Sequence, residues 1–167
     1  MSAVSRNGRC FSGEKRQDEV IKMGKYFGTD GFRGEANENL TADHAYKVGR
    51  FLGWYYGELK RQNGDDTPAR IIIGKDTAVQ LYVRVYTGCG LVASGADAYL
   101  LHVTTTPSVA YVARVDEFDC GIMISASHNP YFDNGIKLIN GNRGEDGRGR
   151  PFPLCKPIWM EIWKSGT

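Results

Sequence analysis

A polar segment that follows a short apolar run carries the densest set of chemically active side chains in this sequence. It reads Ser125-Ala126-Ser127-His128-Asn129-Pro130-Tyr131-Phe132-Asp133-Asn134-Gly135-Ile136-Lys137. A serine beside a histidine, with a lysine within reach, is suited to carry a covalent phosphate, because the charged ester needs several hydrogen-bond donors around it. His128, the amide of Asn129 and the loop N–H groups are such donors. The alternative is a structural loop in which serine caps and Asn-Gly turns.

A second polar segment sets three glycines around one arginine and one threonine: Gly28-Thr29-Asp30-Gly31-Phe32-Arg33-Gly34. Glycines let backbone N–H groups form an anion-binding concavity, and a guanidinium offers a planar fork to phosphate oxygens. The segment is therefore a candidate phosphate site. An ordinary glycine turn is the alternative, since the spacing matches neither the GxGxxG dinucleotide fingerprint nor the GxxxxGK of a P-loop.

Length and composition limit the class of protein. The 167 residues suffice for one ordinary domain, and 41% apolar with 24% charged residues is typical of a globular chain. The net charge of +2 argues against a nucleic-acid or polybasic membrane binder. No apolar run reaches the roughly 20 residues of a membrane helix. The four cysteines lack metal-ligand spacing and residues 1–22 lack an apolar signal core, so a cytoplasmic location is expected.

Apolar periodicity predicts the elements that must position the two polar segments. Strands are expected at 25–28, 69–74, 96–103, 119–125 and 136–140, with 28–34 as a loop and Asp133-Asn134-Gly135 as a turn. Helices are expected at 41–61 with Thr41 as N-cap, and from Pro107 onward. A third helix is expected at 78–94, although its β-branched and aromatic residues fit a helix poorly. This order predicts a layered α/β/α domain with a mixed, mostly parallel sheet, whose strand-end loops converge on one edge.

Four segments together resemble the α-D-phosphohexomutase family, and within it the phosphoglucosamine mutase subgroup. They are YFGTDGFRG (26–34), IIIGKDT (71–77), TTTPSVAY (104–111) and GIMISASHNPYFDNGIKL (121–138). The resemblance extends over residues 23–140, which are expected to form the first, phosphoserine-bearing domain of that family. Residues 1–22 are expected to be a disordered N-terminal extension, and residues 141–167 an atypical basic tail.

The resemblance implies a reaction and a role for each candidate residue. Ser127 would carry a phosphate, give it to a hexose monophosphate to form a bisphosphate, and take back the other phosphate, thereby interconverting glucosamine 6-phosphate and glucosamine 1-phosphate. His128 and Lys137 would act as proton-transfer or electrostatic groups, and Arg33 would face the phosphates. Thr29, Gly31, Ser125 and Asn129 would bind phosphate or substrate. Mg²⁺ would bind through the Ser127 phosphate, with a hexose 1,6-bisphosphate as activator.

The sequence also departs from that family's pattern. It lacks the family's DGDxDR metal loop, its sugar-selecting loop and its C-terminal phosphate-binding loop, so the missing domains are expected partners and little mutase activity is expected of the chain alone. The family's arginine is absent after GKDT, and we hypothesise that residues 78–90 and 141–167 are translated out of frame. A phosphoglucomutase or phosphomannomutase domain, or a non-catalytic sugar-phosphate-binding fragment, remains the alternative.

Overall fold

The computed structural model describes residues 27–28, 31–77, 81–126, 129 and 132–141. Helices α1 (Ala42–Gln62) and α2 (Leu81–Val92) cover one face of a sheet and α3 (Thr106–Val115) covers the other, which confirms the expected α/β/α layers. In chain order the elements in those ranges are β1 (Phe27–Gly28), β2 (Gly31–Glu35), α1 (Ala42–Gln62), β3 (Arg70–Lys75), α2 (Leu81–Val92), β4 (Asp97–Val103), α3 (Thr106–Val115), β5 (Cys120–Ile124) and β6 (Asp133–Asn140).

The sheet is mixed, as expected, with the described strands in the order β1-β2-β6-β5-β3-β4. Strand β3 pairs in parallel with β4 and β5, whereas the pairs β1–β2, β2–β6 and β5–β6 are antiparallel. Strands β2, β3, β4 and β5 therefore all run in one direction. The prediction of a mostly parallel sheet holds for strand direction, although antiparallel pairs outnumber parallel ones among the described strands.

Two segments predicted to be irregular are strands, so these predictions were wrong. Strand β2 (Gly31–Glu35) includes most of the segment 28–34 that was expected as a loop, and Asp133-Asn134-Gly135, expected as a turn, begins β6. Phe32 lies opposite Ile136 in the register between the two strands. Both segments are polar and glycine-rich, which gives little local strand propensity. Their pairing with each other, over a long separation in sequence, decides their conformation.

Helix α1 begins at the predicted N-cap. The Oγ1 of Thr41 accepts a hydrogen bond from the backbone N–H of His44 at 3.3 Å, and the Nδ1 of His44 accepts one from the backbone N–H of Thr41 at 3.2 Å. This reciprocal capping box satisfies two backbone donors at the helix N-terminus. Asp43 in the first turn and Lys60 and Arg61 in the last turn complement the helix dipole.

Helix α3 begins at the predicted proline. Thr105 is its N-cap, and its Oγ1 accepts a hydrogen bond from the backbone N–H of Ser108 at 3.3 Å. Pro107 lies in the first turn, where a backbone N–H has no helical acceptor and its absence costs nothing. Val109 and Ala113 are fully buried against the sheet. The capping residues and the spacing of the apolar residues therefore both favour a helix in this segment.

Helix α2 forms although its β-branched and aromatic residues disfavour a helix. Leu91 is fully buried in the core between α1, α2 and the sheet. A Cβ at Gly90 would overlap the carbonyl oxygen of Tyr46 in α1, and a Cβ at Gly49 would overlap that of Thr87 in α2. The two helices therefore pack backbone to backbone on their glycines, and this packing outweighs the low propensity.

The central strands supply two cores, one on each face. Ile71 and Ile73 belong to the core beneath α1 and α2, whereas Ile72 between them belongs to the core beneath α3. This alternation is the period of two that a strand imposes on its side chains. Because both faces are covered, the central strands are almost continuously apolar, which is how β3 and β5 were predicted.

Candidate functional site

The carboxyl ends of the parallel strands β3, β4 and β5 meet at one edge of the sheet. The backbone N–H of Asp76, just after β3, donates to the carbonyl of Ile124 at the end of β5 over 3.0 Å. The backbone N–H of Thr104, just after β4, donates to the carbonyl of Lys75 over 2.8 Å. The described parts of these strand-end loops therefore converge as predicted, at the edge where open α/β sheets bind ligands.

Arg33 and Ser125 lie beside each other across Gly135. Arg33 faces Gly135 in the β2–β6 register, and the backbone N–H of Ser125 donates to the carbonyl of Gly135 at 3.0 Å. A Cβ at Gly135 would lie 3.2 Å from both the Cγ of Arg33 and the carbonyl oxygen of Ser125. The glycine thus leaves room for the Arg33 side chain next to the backbone of Ser125. Two predicted site residues are brought together by a third whose role the sequence did not reveal.

Lys137 is on the same face of the sheet as Arg33. Residues that face each other in an antiparallel pair share a face of the sheet, and so do residues two apart along one strand. Arg33 faces Gly135, and Lys137 follows Gly135 by two positions on β6. Arg33 is exposed and Lys137 half-buried. Two cationic side chains that the sequence singled out therefore share one face, beside the end of β5.

Gly31 lets β2 approach β6 beside Lys137. Its φ is +104°, in the region that favours glycine, and a Cβ there would overlap the carbonyl oxygen of Ile136 and lie 3.1 Å from the Cα of Lys137. The structure therefore places Gly31 at the start of the strand that carries Arg33. Its contact with phosphate stays a prediction.

Asn129 contacts both the loop that follows β5 and the first residue of β6. The backbone N–H of Asn129 donates to the carbonyl of Ala126 at 3.1 Å, and its side-chain Nδ2 donates to the Oδ2 of Asp133 at 3.1 Å. The same nitrogen carries a second N–H, which phosphate binding would use. Ser125 is buried. The predicted binding of phosphate or substrate by these two residues stays a prediction.

Three predicted site residues, Thr29, Ser127 and His128, lie outside the described residues, and their roles also stay predictions. The described chain reaches Ala126 on one side of Ser127 and Asn129 on the other side of His128. These flanking residues follow the carboxyl end of β5, near the sheet face that carries Arg33 and Lys137.

Asp76 is a residue of this edge that the sequence did not single out. Its Oδ2 accepts a hydrogen bond from the backbone N–H of Ala126 at 3.2 Å. A signal was available, because Asp76 follows a buried strand directly and the carboxyl ends of parallel strands form ligand sites. The sequence alone gave no register between β3 and β5, and therefore no partner for this carboxylate.

Searches of the described ranges add two findings. No three His, Cys, Asp or Glu side chains cluster there as ligands for a metal ion. The expected Mg²⁺ ligand, a phosphate on Ser127, belongs to a residue outside them. In the same ranges, no helix has the length and apolar character to cross a membrane.

The fold and the site define a class: an α/β/α domain in which basic side chains on one sheet face lie beside a strand-end loop, an arrangement suited to phosphate esters. The chain belongs to the phosphoglucomutase/phosphomannomutase family, whose α/β/α domain I matches residues 24–148.

Similar proteins agree with that family. The chain is 71% identical over 119 residues to the phosphoglucosamine mutase of Lachnospira eligens, and 68% identical over 120 residues to that of Lachnoclostridium phytofermentans. Each match covers 71% of this chain, but only 26% and 25% of the relatives, so the chain spans about a quarter of their length. A crystal structure from Thermus thermophilus, assigned as a phosphomannomutase, shares the fold. It has a TM-score of 0.61 and 24% identity, over 81% of this chain and 29% of that one.

Proposed function

We propose that this chain is the phosphoserine-bearing domain of a phosphoglucosamine mutase, which interconverts glucosamine 6-phosphate and glucosamine 1-phosphate. Family membership and the names of two similar relatives support the reaction class. One observation of this chain carries the proposal: Arg33 and Lys137 share a face of the sheet beside the end of β5, three residues before Ser127. A cytoplasmic location is part of the same proposal.

The proposed reaction moves one phosphoryl group in each direction. The bond between Oγ of Ser127 and phosphorus breaks as a sugar hydroxyl oxygen bonds to that phosphorus, and His128 or Lys137 takes the hydroxyl proton. The resulting bisphosphate then returns its other phosphoryl group to the serine oxygen, and the proton goes back to the sugar oxygen that is released. Positioning and charge stabilisation supply most of the catalysis in such transfers.

Each described residue contributes through its charge and place. The guanidinium of Arg33 presents a planar fork to phosphate oxygens, and the ammonium of Lys137 adds a second positive charge on the same face. Mg²⁺, bound through the phosphate, would neutralise further charge, with a hexose 1,6-bisphosphate as activator. The proposed roles of Arg33 and Lys137 rest on their positive charges and on the sheet face that they share.

Turnover is proposed to need domains beyond this chain. The matched region makes up only about a quarter of the curated relatives. The sugar must also be held at the phosphate that is not being transferred in order to be oriented. Orientation is worth roughly 7–11 kcal/mol of barrier in well-placed reactions. The isolated chain is therefore proposed to accept a phosphate on Ser127 but to interconvert hexose phosphates very slowly.

A graft tests the proposed function. Residues 24–141 of this chain replace the matching region of the Lachnospira eligens enzyme, and turnover of glucosamine 6-phosphate is measured with a coupled assay. The expected result is turnover by the graft and its loss in a graft carrying Ser127→Ala. A folded graft that binds hexose phosphates without turnover would favour the non-catalytic alternative. Preference for glucose or mannose phosphates would favour the other mutase activities.

A further inference from the structure

Asp76 connects the ends of two neighbouring parallel strands through both its backbone and its side chain. Its backbone N–H donates to the carbonyl of Ile124 at 3.0 Å, and its Oδ2 accepts from the backbone N–H of Ala126 at 3.2 Å. The two partners lie on either side of Ser125. The carboxylate therefore holds the peptide group between Ser125 and Ala126, which lies one residue before Ser127 in the chain.

The backbone around Asp76 is itself well held. The Nζ of Lys75 donates to the carbonyl of Asp76 at 3.0 Å, and the carbonyl of Lys75 accepts from the backbone N–H of Thr104 at 2.8 Å. Gly74, one residue earlier, packs so closely that a Cβ there would lie 2.6 Å from the Cγ2 of Thr104. The backbone at Asp76 is thus hydrogen-bonded to the ends of β4 and β5. The side chain of Asp76 in turn holds the backbone N–H of Ala126 in place.

Charge alone does not explain a carboxylate in this place. A phosphate ester on Ser127, the residue after Ala126, would be repelled by the carboxylate of Asp76, since like charges repel each other. A hydrogen bond from a backbone N–H to a carboxylate is charge-assisted and stronger than a neutral one. The geometry therefore favours a role in orienting the backbone over a role in binding phosphate.

We propose that Asp76 is a positioning residue, which orients the start of the strand-end loop so that Ser127 meets the phosphoryl donor. The inference rests on the proposed function, because it assigns the orientation to phosphoryl transfer at Ser127. Small displacements matter in such a reaction: a shift of about 1 Å can cost roughly 100-fold in rate. The proposed role requires an acceptor oxygen at position 76; the negative charge strengthens that hydrogen bond but also repels a phosphate on Ser127.

The test compares four versions of the full chain: wild type, Asp76→Asn, Asp76→Ala and the control Thr77→Ala, which changes an exposed neighbour. Each is incubated with glucose 1,6-bisphosphate and Mg²⁺, and the rate of phosphate appearance on Ser127 is followed by peptide mass spectrometry. Asp76→Ala is expected to lower the rate roughly 10- to 100-fold. Asp76→Asn keeps an acceptor oxygen and is expected to stay near the wild-type rate, as is Thr77→Ala.

A second measurement does not depend on phosphate transfer. Hydrogen exchange at the Ala126 amide is expected to accelerate in Asp76→Ala and to be restored in Asp76→Asn, while core amides of β3 and β5 stay protected. Wild-type phosphate transfer by Asp76→Ala overturns the inference. If even the wild type takes up no phosphate, the proposed function fails, and the exchange data decide the inference separately: unchanged exchange at Ala126 overturns it.

Discussion

Gly135 faces Arg33 in the β2–β6 pair, and a Cβ added to this glycine would lie 3.2 Å from the Cγ of Arg33. The same Cβ would lie 3.2 Å from the carbonyl oxygen of Ser125 and 3.3 Å from that of Phe32. The position is therefore closed from three sides, two of them by backbone. A side chain at position 135 would displace the side chain of Arg33. The position of Arg33 beside Ser125 is a central feature of the candidate site.

Gly135→Ala is accordingly expected to destabilise the fold by about 1–3 kcal/mol, because the neighbours must move by a few tenths of an ångström. Urea unfolding measures this change. Arg33→Ala removes the one flexible neighbour, so the double variant Arg33→Ala/Gly135→Ala should lose less than the sum of the two single changes. Strict additivity would show that the arginine side chain is not crowded by the new methyl group.

The contact between α1 and α2 gives a second prediction. A Cβ at Gly90 would overlap the carbonyl oxygen of Tyr46 and lie 2.7 Å from the backbone nitrogen of Arg50, so Gly90→Ala must push the helices apart. The expected loss is about 3 kcal/mol in the free energy of unfolding. Gly57→Ala, in α1, is the control: the nearest atom to its Cβ is the Nη1 of Arg61 at 3.9 Å.

Gly57→Ala is expected to raise the free energy of unfolding, because alanine is more favourable than glycine within a helix by up to about 1 kcal/mol. Both variants are compared by urea unfolding at one temperature. Equal stability of the two variants would contradict close backbone packing between the helices.

Much of the fold could be predicted from sequence because local and long-range preferences agree. The N-cap Thr41 and the proline at the start of α3 specify helix boundaries without knowledge of the partner elements. The apolar runs of β3 and β5 indicate strands covered on both faces. In α2 the two preferences disagree: its residues are poor helix formers, and only the register of Gly49 and Gly90 between two helices shows why the helix forms.

The candidate site could be predicted only as a set of residues, not as an arrangement. Arg33 and Lys137 were singled out by residue type, but their shared face depends on the β2–β6 register, which a polar, glycine-rich pair of segments does not reveal. Asp76 was missed for a related reason, since its partner, the Ala126 amide, follows a strand and lies fifty residues later in the chain. Backbone partners have no signature in a sequence.

The capping box at α1 predicts a dependence of stability on pH. Burial is the main cause that lowers the pKa of His44 from its ordinary value of 6.5; Lys47 lowers it further, and Asp43 opposes both. The unfolded chain therefore binds the proton more readily than the folded one. The contribution of neutral His44 to the stability of the fold is fully present above about pH 6.5. It is lost as the pH falls toward the lowered pKa of the folded state.

The matched variant is His44→Gln, since glutamine at this position can accept the same bond from Thr41 without titrating. The stability difference between wild type and His44→Gln should shift in favour of the variant as the pH falls below about 6.5, measured by urea unfolding at several pH values. Parallel pH profiles of the two proteins would contradict a lowered pKa at His44.

The buried hydroxyl of Thr87 gives the last prediction. Thr87 is fully buried in α2, and within the described part of the chain its Oγ1 has no hydrogen-bond partner. A buried polar group without a partner costs about 1–3 kcal/mol, and valine matches threonine in shape and in helix propensity. Thr87→Val is therefore expected to stabilise the fold by at least about 1 kcal/mol, which corresponds to about 2–4 °C in Tm.

The same substitution at an exposed, hydrogen-bonded threonine is the control. The Oγ1 of Thr67 donates to the Oδ1 of Asp65 at 2.7 Å, and its bonds are the main cause that lowers the pKa of Asp65 to about 2. Thr67→Val should raise that pKa, detectable by NMR titration, without raising Tm. If Thr87→Val lowers Tm instead, the hydroxyl of Thr87 has a hydrogen-bond partner in solution. A bridging water is such a partner, and the contact between α1 and α2 would then contain a buried water molecule.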